Sequence, residues 1–318
     1  MNSLPLTGRR LLQSPPLLTL LLVALVWLVA SLTLRGFGAY GHLRYLLELA
    51  AVIGIVAAGQ TLVIIGRGDS TVSVGAVMTV TAILLPVISP DWDPTGLLGV
   101  VMVLAIAAII GAVNGIGAAW LRVPPIIMTL AMATFLQGLL VIVAGGSAVS
   151  VNNAAAIFLG SARPFGIPAS IILWVAVTAV VLVLLHKMPT GARFLALGAN
   201  PVATRLSGVN VNRNMVALYA LSAFFAGLAG IVLLGMNRQG YVGIGEPYVL
   251  LSIAAVVLGG TSILGGRGTY AGTIPGAILL VTTTALITMV NASPGLRSIL
   301  FGSLILGLLM ISGREARR

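Results

Sequence analysis

Seven long apolar stretches constrain the fold of this chain more than any other feature. A helix crosses the hydrocarbon core of a bilayer with about 20 apolar residues, in a range of about 17 to 25. The seven stretches lie at roughly 17–34, 45–65, 97–119, 123–144, 167–186, 215–236 and 270–290. Three shorter or interrupted stretches lie at about 72–88, 248–264 and 297–312. The pattern predicts an all-α polytopic membrane protein with the lipid bilayer as its surroundings.

The composition excludes several other classes of protein. Only 7% of the 318 residues are charged, whereas a soluble globular domain carries about 25%. The chain has no cysteine, which excludes disulfides, thiol catalysis and thiolate metal sites. Basic residues in cytoplasmic loops orient membrane helices, and this explains the net charge of +11. Nucleic acid is therefore not predicted as a partner.

The positions of the arginines favour a topology of about ten transmembrane helices, with the N- and C-termini in the cytoplasm. This arrangement places most of the 17 basic residues on the cytoplasmic side, as the positive-inside rule requires. If segment 72–88 turned back instead, Arg122 and the basic cluster within 187–213 would lie outside. The predicted parts are a cytoplasmic N-terminal tail (1–16), a transmembrane domain (17–312) with a long cytoplasmic loop (187–214), and a cytoplasmic C-terminal tail (313–318).

The chain lacks the common signatures of catalysis. The GxxxxGK[ST] phosphate loop does not occur, and the single lysine, Lys187, is followed by Met-Pro, so this kind of nucleotide site is excluded. We predict no catalytic residue, metal or cofactor. Glu48 is the one clear acid within a span, and we interpret it as an ion-pair partner of Arg44, one turn earlier. A proton-driven carrier would need a series of such acids, so we expect the energy for any transport to come from elsewhere.

Two segments resemble each other and indicate a transport pathway. They read IGRGDSTVSVGAV at 65–77 and GGRGTYAGTIPGAIL at 265–279. Paired, interrupted short segments in the two halves of a transporter mark its pathway. The alternative is that polar side chains here form hydrogen bonds between helices, worth about 0.6 kcal/mol each in a membrane. The polar residues predicted at or near the passage are Asp69, Ser73, Asn114, Thr261 and Ser262.

The polar stretch GANPVATRLSGVNVNRN at 198–214 lies in the long cytoplasmic loop. Its arginines alone would be enough to set the topology. The glycine, asparagine, proline and serine residues between them are typical of a defined loop shape, which favours a folded surface for a partner. A loop that serves only as a topological anchor is the alternative.

Three longer motifs resemble one family. LSIAAVVLGGTSILGGRGTYAGTIPGA at 251–277, GAVNGIGAAWLRVPPIIMTLAMATFLQGL at 111–139 and ALGANPVATRLSGVNVNRNMVALYALSAFFAGLAGI at 196–231 are similar to permease subunits of bacterial ABC importers for ribose and related monosaccharides. The similarity runs from about 45 to 312. One departure lies at 68–75, where the family's spacing between Asp and Ser-Val-Gly is two residues shorter. A second lies at 245–250, where many members read Gly-Tyr-Glu-Leu.

The resemblance implies the ABC importer permease fold and import of a pentose or hexose across the bacterial inner membrane. It implies three kinds of partner: cytoplasmic ATP-binding subunits, a periplasmic sugar-binding protein, and a second permease copy or a paralogue. It also implies that a short helix within 196–208 docks on the ATPase, through Gly198, Asn200, Ala203, Arg205, Ser207 and Gly208. Three alternatives stay open: a permease of the same superfamily for nucleosides or branched-chain amino acids, an ion-coupled secondary carrier, and a membrane scaffold that transports nothing.

Overall fold

The computed structural model describes residues 15–33, 36–67, 69–89 and 93–289. The predicted span 297–312, the C-terminal tail and nearly all of the N-terminal tail lie outside the described residues. The helices are α1 (Pro15–Thr33), α2 (Tyr40–Arg67), α3 (Val74–Ile88), α4 (Leu97–Ala119), α5 (Pro125–Ala144), α6 (Ala154–Ser161), α7 (Ala169–Lys187), α8 (Pro189–Ala199), α9 (Pro201–Leu206), α10 (Val211–Asn237), α11 (Pro247–Leu258) and α12 (Tyr270–Met289). A short antiparallel pair joins β1 (Val149–Ser150) to β2 (Gln239–Gly240).

The prediction of an all-α polytopic membrane protein is confirmed. By length and apolar composition, six of the described helices can cross a membrane: α2, α4, α5, α7, α10 and α12. Three shorter apolar helical segments lie in α1, α3 and α11. Each of the seven long apolar stretches coincides with a helix. The number of ten spans and the cytoplasmic termini stay predictions, because the tenth stretch and both chain ends lie outside the described residues.

Helix α2 forms the centre of the molecule. In its most apolar 18-residue window, 94% of the residues are buried, against 33% in α4 and 22% in α5. It packs against α7, α8, α10, α11 and α12. Small residues allow this close approach: a Cβ added at Gly59 would lie 2.7 Å from the Cα of Ser222 on α10. Such contacts between small residues are a main source of helix association in lipid.

Helices α3 and α11 are too short to cross the bilayer alone. They have 15 and 12 residues, about 22 and 18 Å at 1.5 Å per residue, whereas the hydrocarbon core is about 30 Å thick. The two helix starts meet, since a Cβ on Gly75 would lie 2.7 Å from the carbonyl oxygen of Gly245. Both helices therefore begin inside the molecule and are preceded by irregular backbone.

The irregular segment 69–73 before α3 is stabilised by Gln60 of α2. The Gln60 Nε2 donates to the Thr71 carbonyl oxygen at 2.8 Å, and the Thr71 backbone N–H donates to Gln60 Oε1 at 3.0 Å. Non-helical backbone at membrane depth requires such internal partners. The amide side chain of Gln60 therefore allows the chain to run back along α2 before α3 begins.

The cytoplasmic loop differs from its prediction in one respect. We expected one docking helix within 196–208, with Gly198 and Gly208 at its ends. Instead, Gly198 lies inside α8, and the separate helix α9 covers only Pro201–Leu206. Asn200 separates the two helices because its backbone is extended before a proline. Gly208, with a φ of +81°, follows α9 as expected, since glycine adopts this left-handed conformation without steric cost.

Candidate translocation and coupling sites

The structure brings together two of the five predicted passage residues. Asn114 of α4 donates from Nδ2 to Ser73 Oγ at 3.0 Å. Both side chains are buried, with exposed fractions of 1% and 2%. They line a small cavity together with Thr71, Tyr219 and Ser222. This cavity lies at the start of α3, between α4 and α10.

The residues around this cavity link four helices to the irregular segment 69–73. Thr71 Oγ1 donates to Gln60 Oε1 at 2.9 Å and lies 3.2 Å from Ser222 Oγ on α10. The backbone N–H of Val72 donates to Thr129 Oγ1 on α5 at 3.3 Å. The start of α3 is therefore held by polar contacts rather than by apolar packing alone. Sequence reasoning missed Gln60, Thr71 and Ser222: Gln60 and Ser222 lie in apolar runs, and Thr71 is one of several polar residues in segment 65–77.

In the described part of the chain, no hydrogen bond joins the other three predicted passage residues to Ser73 or Asn114. Asp69 forms an ion pair with Arg67, with Nε and Oδ2 3.2 Å apart. Thr261 is buried in the loop that follows α11. Ser262 is half-buried in the same loop, and its backbone N–H donates to the Arg267 carbonyl oxygen at 3.0 Å. The five residues thus form separate groups rather than one cluster.

The predicted ion pair at Glu48 is confirmed and extended. Arg44 Nε lies 3.9 Å from Glu48 Oε1, and Arg163 Nη2 lies at the same distance from the same oxygen. Glu48 has an exposed side-chain fraction of 13%, and Arg163 of 53%. Arg163 follows the short helix α6, more than a hundred residues away along the chain, so no local spacing could reveal it. Two cations therefore neutralise this acid.

Helix α9 exposes two large apolar side chains, which is unusual for a helix in a loop outside the membrane. Val202 and Leu206 are 70% and 85% exposed, and Arg205 is exposed beside them. Asn200 caps the helix by accepting from the backbone N–H groups of Val202 and Ala203, both at 3.0 Å. Ser207 at the other end donates from Oγ to the Ala203 carbonyl oxygen at 3.0 Å. The result is a defined helix whose apolar and basic side chains point away from the molecule.

Gly198 connects this loop to the two similar segments. The Gly266 backbone N–H donates to the Ile65 carbonyl oxygen at 2.7 Å, so segments 65–77 and 265–279 are in direct contact. A Cβ added at Gly198 would lie 2.5 Å from Gly266 N and 3.0 Å from the Ile65 carbonyl carbon. The end of α8 therefore abuts both segments at the point where they meet. The sequence indicates the similarity of the segments but not this shared contact.

Comparison with known proteins assigns the family. The profile of the family described as "Branched-chain amino acid transport system / permease component" matches residues 43–311. The chain belongs to this permease family. The match covers α2 to α12 and extends beyond the described residues. It confirms the predicted family resemblance and identifies a multi-pass membrane transport subunit, a role that is not enzymatic.

Curated relatives of the permease are named as sugar transport proteins. The permease is 35% identical over 291 residues to the ribose import permease protein RbsC of Escherichia coli K12, covering 88% of this chain and 89% of the relative. It is 30% identical to the L-arabinose transport system permease protein AraH of the same strain, covering 90% and 87%. It is also 30% identical to the fructose import permease protein FrcC of Rhizobium meliloti, covering 93% and 84%. No solved structure gave a significant match.

Proposed function

We propose that this protein is the transmembrane permease of an ATP-driven importer that carries a monosaccharide across the bacterial inner membrane. The relatives named for ribose, L-arabinose and fructose support a pentose or hexose as substrate. The chain carries no GxxxxGK[ST] phosphate loop, so ATP would bind on cytoplasmic partner subunits. A periplasmic sugar-binding protein would deliver the substrate. The permease itself makes and breaks no covalent bond.

The observation that carries this proposal is the arrangement of the cytoplasmic loop. Helix α9 exposes Val202, Arg205 and Leu206 to a partner. Helix α8, directly before it, touches Ile65 and Gly266 through Gly198. Movement of an ATPase bound to α9 would therefore displace the starts of both similar segments, 65–77 and 265–279. This arrangement suits a passage that is opened from the cytoplasmic side by a separate motor.

The passage itself is proposed to lie between two permease copies, or between this chain and a paralogue. The outer face of α5 carries an open groove of about 700 Å³, lined by Ile127, Leu130, Ala131, Thr134, Phe135, Gly138, Leu139 and Ile142. Helix α3 packs against α5, so Ser73 and Asn114 lie one helix behind this groove. Asp69, Thr261 and Ser262 would border the cytoplasmic end of the proposed passage.

Substitutions on α9 test the proposal. Arg205→Glu and Leu206→Glu change exposed side chains, so folding and insertion should be unaffected, while docking on the ATPase should be weakened. We expect normal amounts of both variants in the membrane, with sugar uptake lowered by at least about tenfold, because a loss of about 1.4 kcal/mol of contact energy corresponds to this factor. Uptake in cells and co-purification with the ATPase are the measurements.

Matched controls are Arg122→Glu and Leu264→Glu, which change an exposed arginine and a 78%-exposed leucine in two other loops of the predicted cytoplasmic side. Both controls should transport normally. Normal uptake by the two α9 variants would mean that the loop is only a topological anchor, as an ion-coupled carrier would allow, whereas a membrane scaffold would give no uptake even without substitution. A nucleoside or a branched-chain amino acid that competes with uptake better than any sugar would instead favour the alternative substrates.

A further inference from the structure

Glu246 is an exposed carboxylate that lies deeper in the molecule than its place in an outer loop suggests. Gln137 of α5 donates from Nε2 to Glu246 Oε1 at 2.8 Å. Gln137 precedes the last residue of α5, Ala144, by seven residues, which is about 10 Å along a helix. In the predicted topology this end of α5 faces outside. The carboxylate therefore lies about two turns below the outer end of α5.

The neighbouring backbone also lies well below the outer helix ends. The Gly245 N–H donates to Thr79 Oγ1 on α3 at 3.2 Å. Two residues further along α3, Thr81 Oγ1 donates to the Gly227 carbonyl oxygen at 3.0 Å. Gly227 precedes the end of α10, Asn237, by ten residues, which is about 15 Å. The segment before α11 thus dips into the membrane region and carries Glu246 with it.

A carboxylate at this depth is not expected to face lipid. Ionisable side chains within membrane segments almost always face the protein interior or a water-filled cavity, because hydrocarbon penalises their charge. Glu246 is exposed, so the interior is excluded. Leu130 and Thr134 lie on the same side of α5 as Gln137 and line the open groove. The groove must therefore border water rather than lipid at this level.

We propose that Glu246, held by Gln137, is a sugar-contacting residue in the passage. This inference rests on the proposed function and adds a named contact to it. A carboxylate has two oxygens and can accept hydrogen bonds from two neighbouring hydroxyl groups, which is the pattern that a monosaccharide offers along its ring. The groove beside this pair is lined mostly by apolar side chains. Glu246, held in place by Gln137, would accept hydrogen bonds from the hydroxyl groups of a passing sugar. Because the neighbouring side chains are mostly apolar, the sugar would bind only weakly.

Cysteine labelling tests whether water reaches the groove on α5. Because the chain has no cysteine, Thr134→Cys can be labelled alone and leaves the Gln137–Glu246 pair intact. The matched control is Val175→Cys on α7, which is 63% exposed and lies six residues from the outer start of its helix. In the reconstituted complex, an impermeant charged thiol reagent should label Thr134→Cys and not Val175→Cys, and ribose with its binding protein should slow the labelling. Absent labelling at Thr134→Cys, or equal labelling at both positions, would overturn the proposal.

Uptake kinetics test the carboxylate itself. Glu246→Gln should lower the maximal uptake rate by about tenfold, since the extra stabilisation that a charged acceptor gives over a neutral one corresponds to roughly this factor in a rate. Glu246→Asp should restore much of the rate, and ATP hydrolysis stimulated by the loaded binding protein should persist in both variants. A normal uptake rate in Glu246→Gln would refute the role of Glu246 and leave the proposed function standing. If the unmodified complex takes up no sugar, the proposed function fails instead.

Discussion

At the scale of single residues, Gly198 has little room for a side chain in the loop that is predicted to be cytoplasmic. Its Cα faces two backbones at once, those of Ile65 and Gly266. Gly266 also has a φ of +73°, a region that side chains rarely adopt. Ile65 and Gly266 lie at the starts of segments 65–77 and 265–279. A movement of either residue therefore displaces its segment. We therefore expect this contact to transmit a displacement of α8 to both similar segments.

The substitution Gly198→Ala tests this contact. The added methyl group would lie 2.5 Å from Gly266 N, and overpacking of this kind costs about 1–3 kcal/mol. We expect a lower thermal midpoint in detergent and reduced uptake. Gly41→Ala is the control, because its Cβ would meet no atom within 4 Å. An unchanged midpoint together with normal uptake in Gly198→Ala would show that the contact is loose and does not couple the two parts.

At the scale of helices, length and composition predict the long elements and miss the short ones. The seven apolar stretches became helices because in a membrane every backbone group must be bonded within the segment. The predicted stretch 248–264 is longer than α11, which ends at Leu258 before a glycine pair, with Gly260 at a φ of +82°. Helix α6 was not predicted, since its eight residues are too few to give a membrane-spanning signal.

The broken start of α3 is an element whose role was only partly visible in the sequence. Ser73 and Asn114 could be chosen as polar residues near Gly-rich breaks, and the structure places them in contact. Gln60 could not be chosen, because a single amide in an apolar run gives no indication of its partner. Its hydrogen bonds to Thr71 depend on a chain reversal that no local pattern describes.

Substitutions at Ser73 separate a packing role from a role in transport. Ser73→Ala removes only the hydrogen bond from Asn114, worth about 0.6 kcal/mol in a membrane, and should transport almost normally. Ser73→Leu places a larger side chain in a site that is 2% exposed and should displace the start of α3. We expect Ser73→Leu to lower uptake more than expression, measured by transport assay and immunoblot of the same membranes. Normal uptake in Ser73→Leu would mean that α3 can shift without affecting the passage.

At the scale of the whole molecule, hydropathy does not show which helices form the centre. Helices α2 and α4 have mean hydropathy values of 2.2 and 2.6, yet 94% and 33% of their apolar windows are buried. Lipid is as apolar as the protein interior, so a helix in the centre and one at the edge have similar compositions. The central position of α2, and the exposed groove on α5, therefore had to come from the structure.

The central claim is that this chain forms a passage without an energy source of its own and that a separate ATPase drives transport through it. The most direct measurement is uptake of radiolabelled ribose into proteoliposomes that contain the permease alone, or the permease with its ATPase and sugar-binding protein. We predict uptake only when all three components are present and ATP is supplied on the side of the membrane where the ATPase is bound. Omission of any component, or replacement of ATP by a non-hydrolysable analogue, should reduce uptake to that of empty vesicles. Accumulation of ribose by the permease alone, driven by an ion gradient without ATP, would contradict the account.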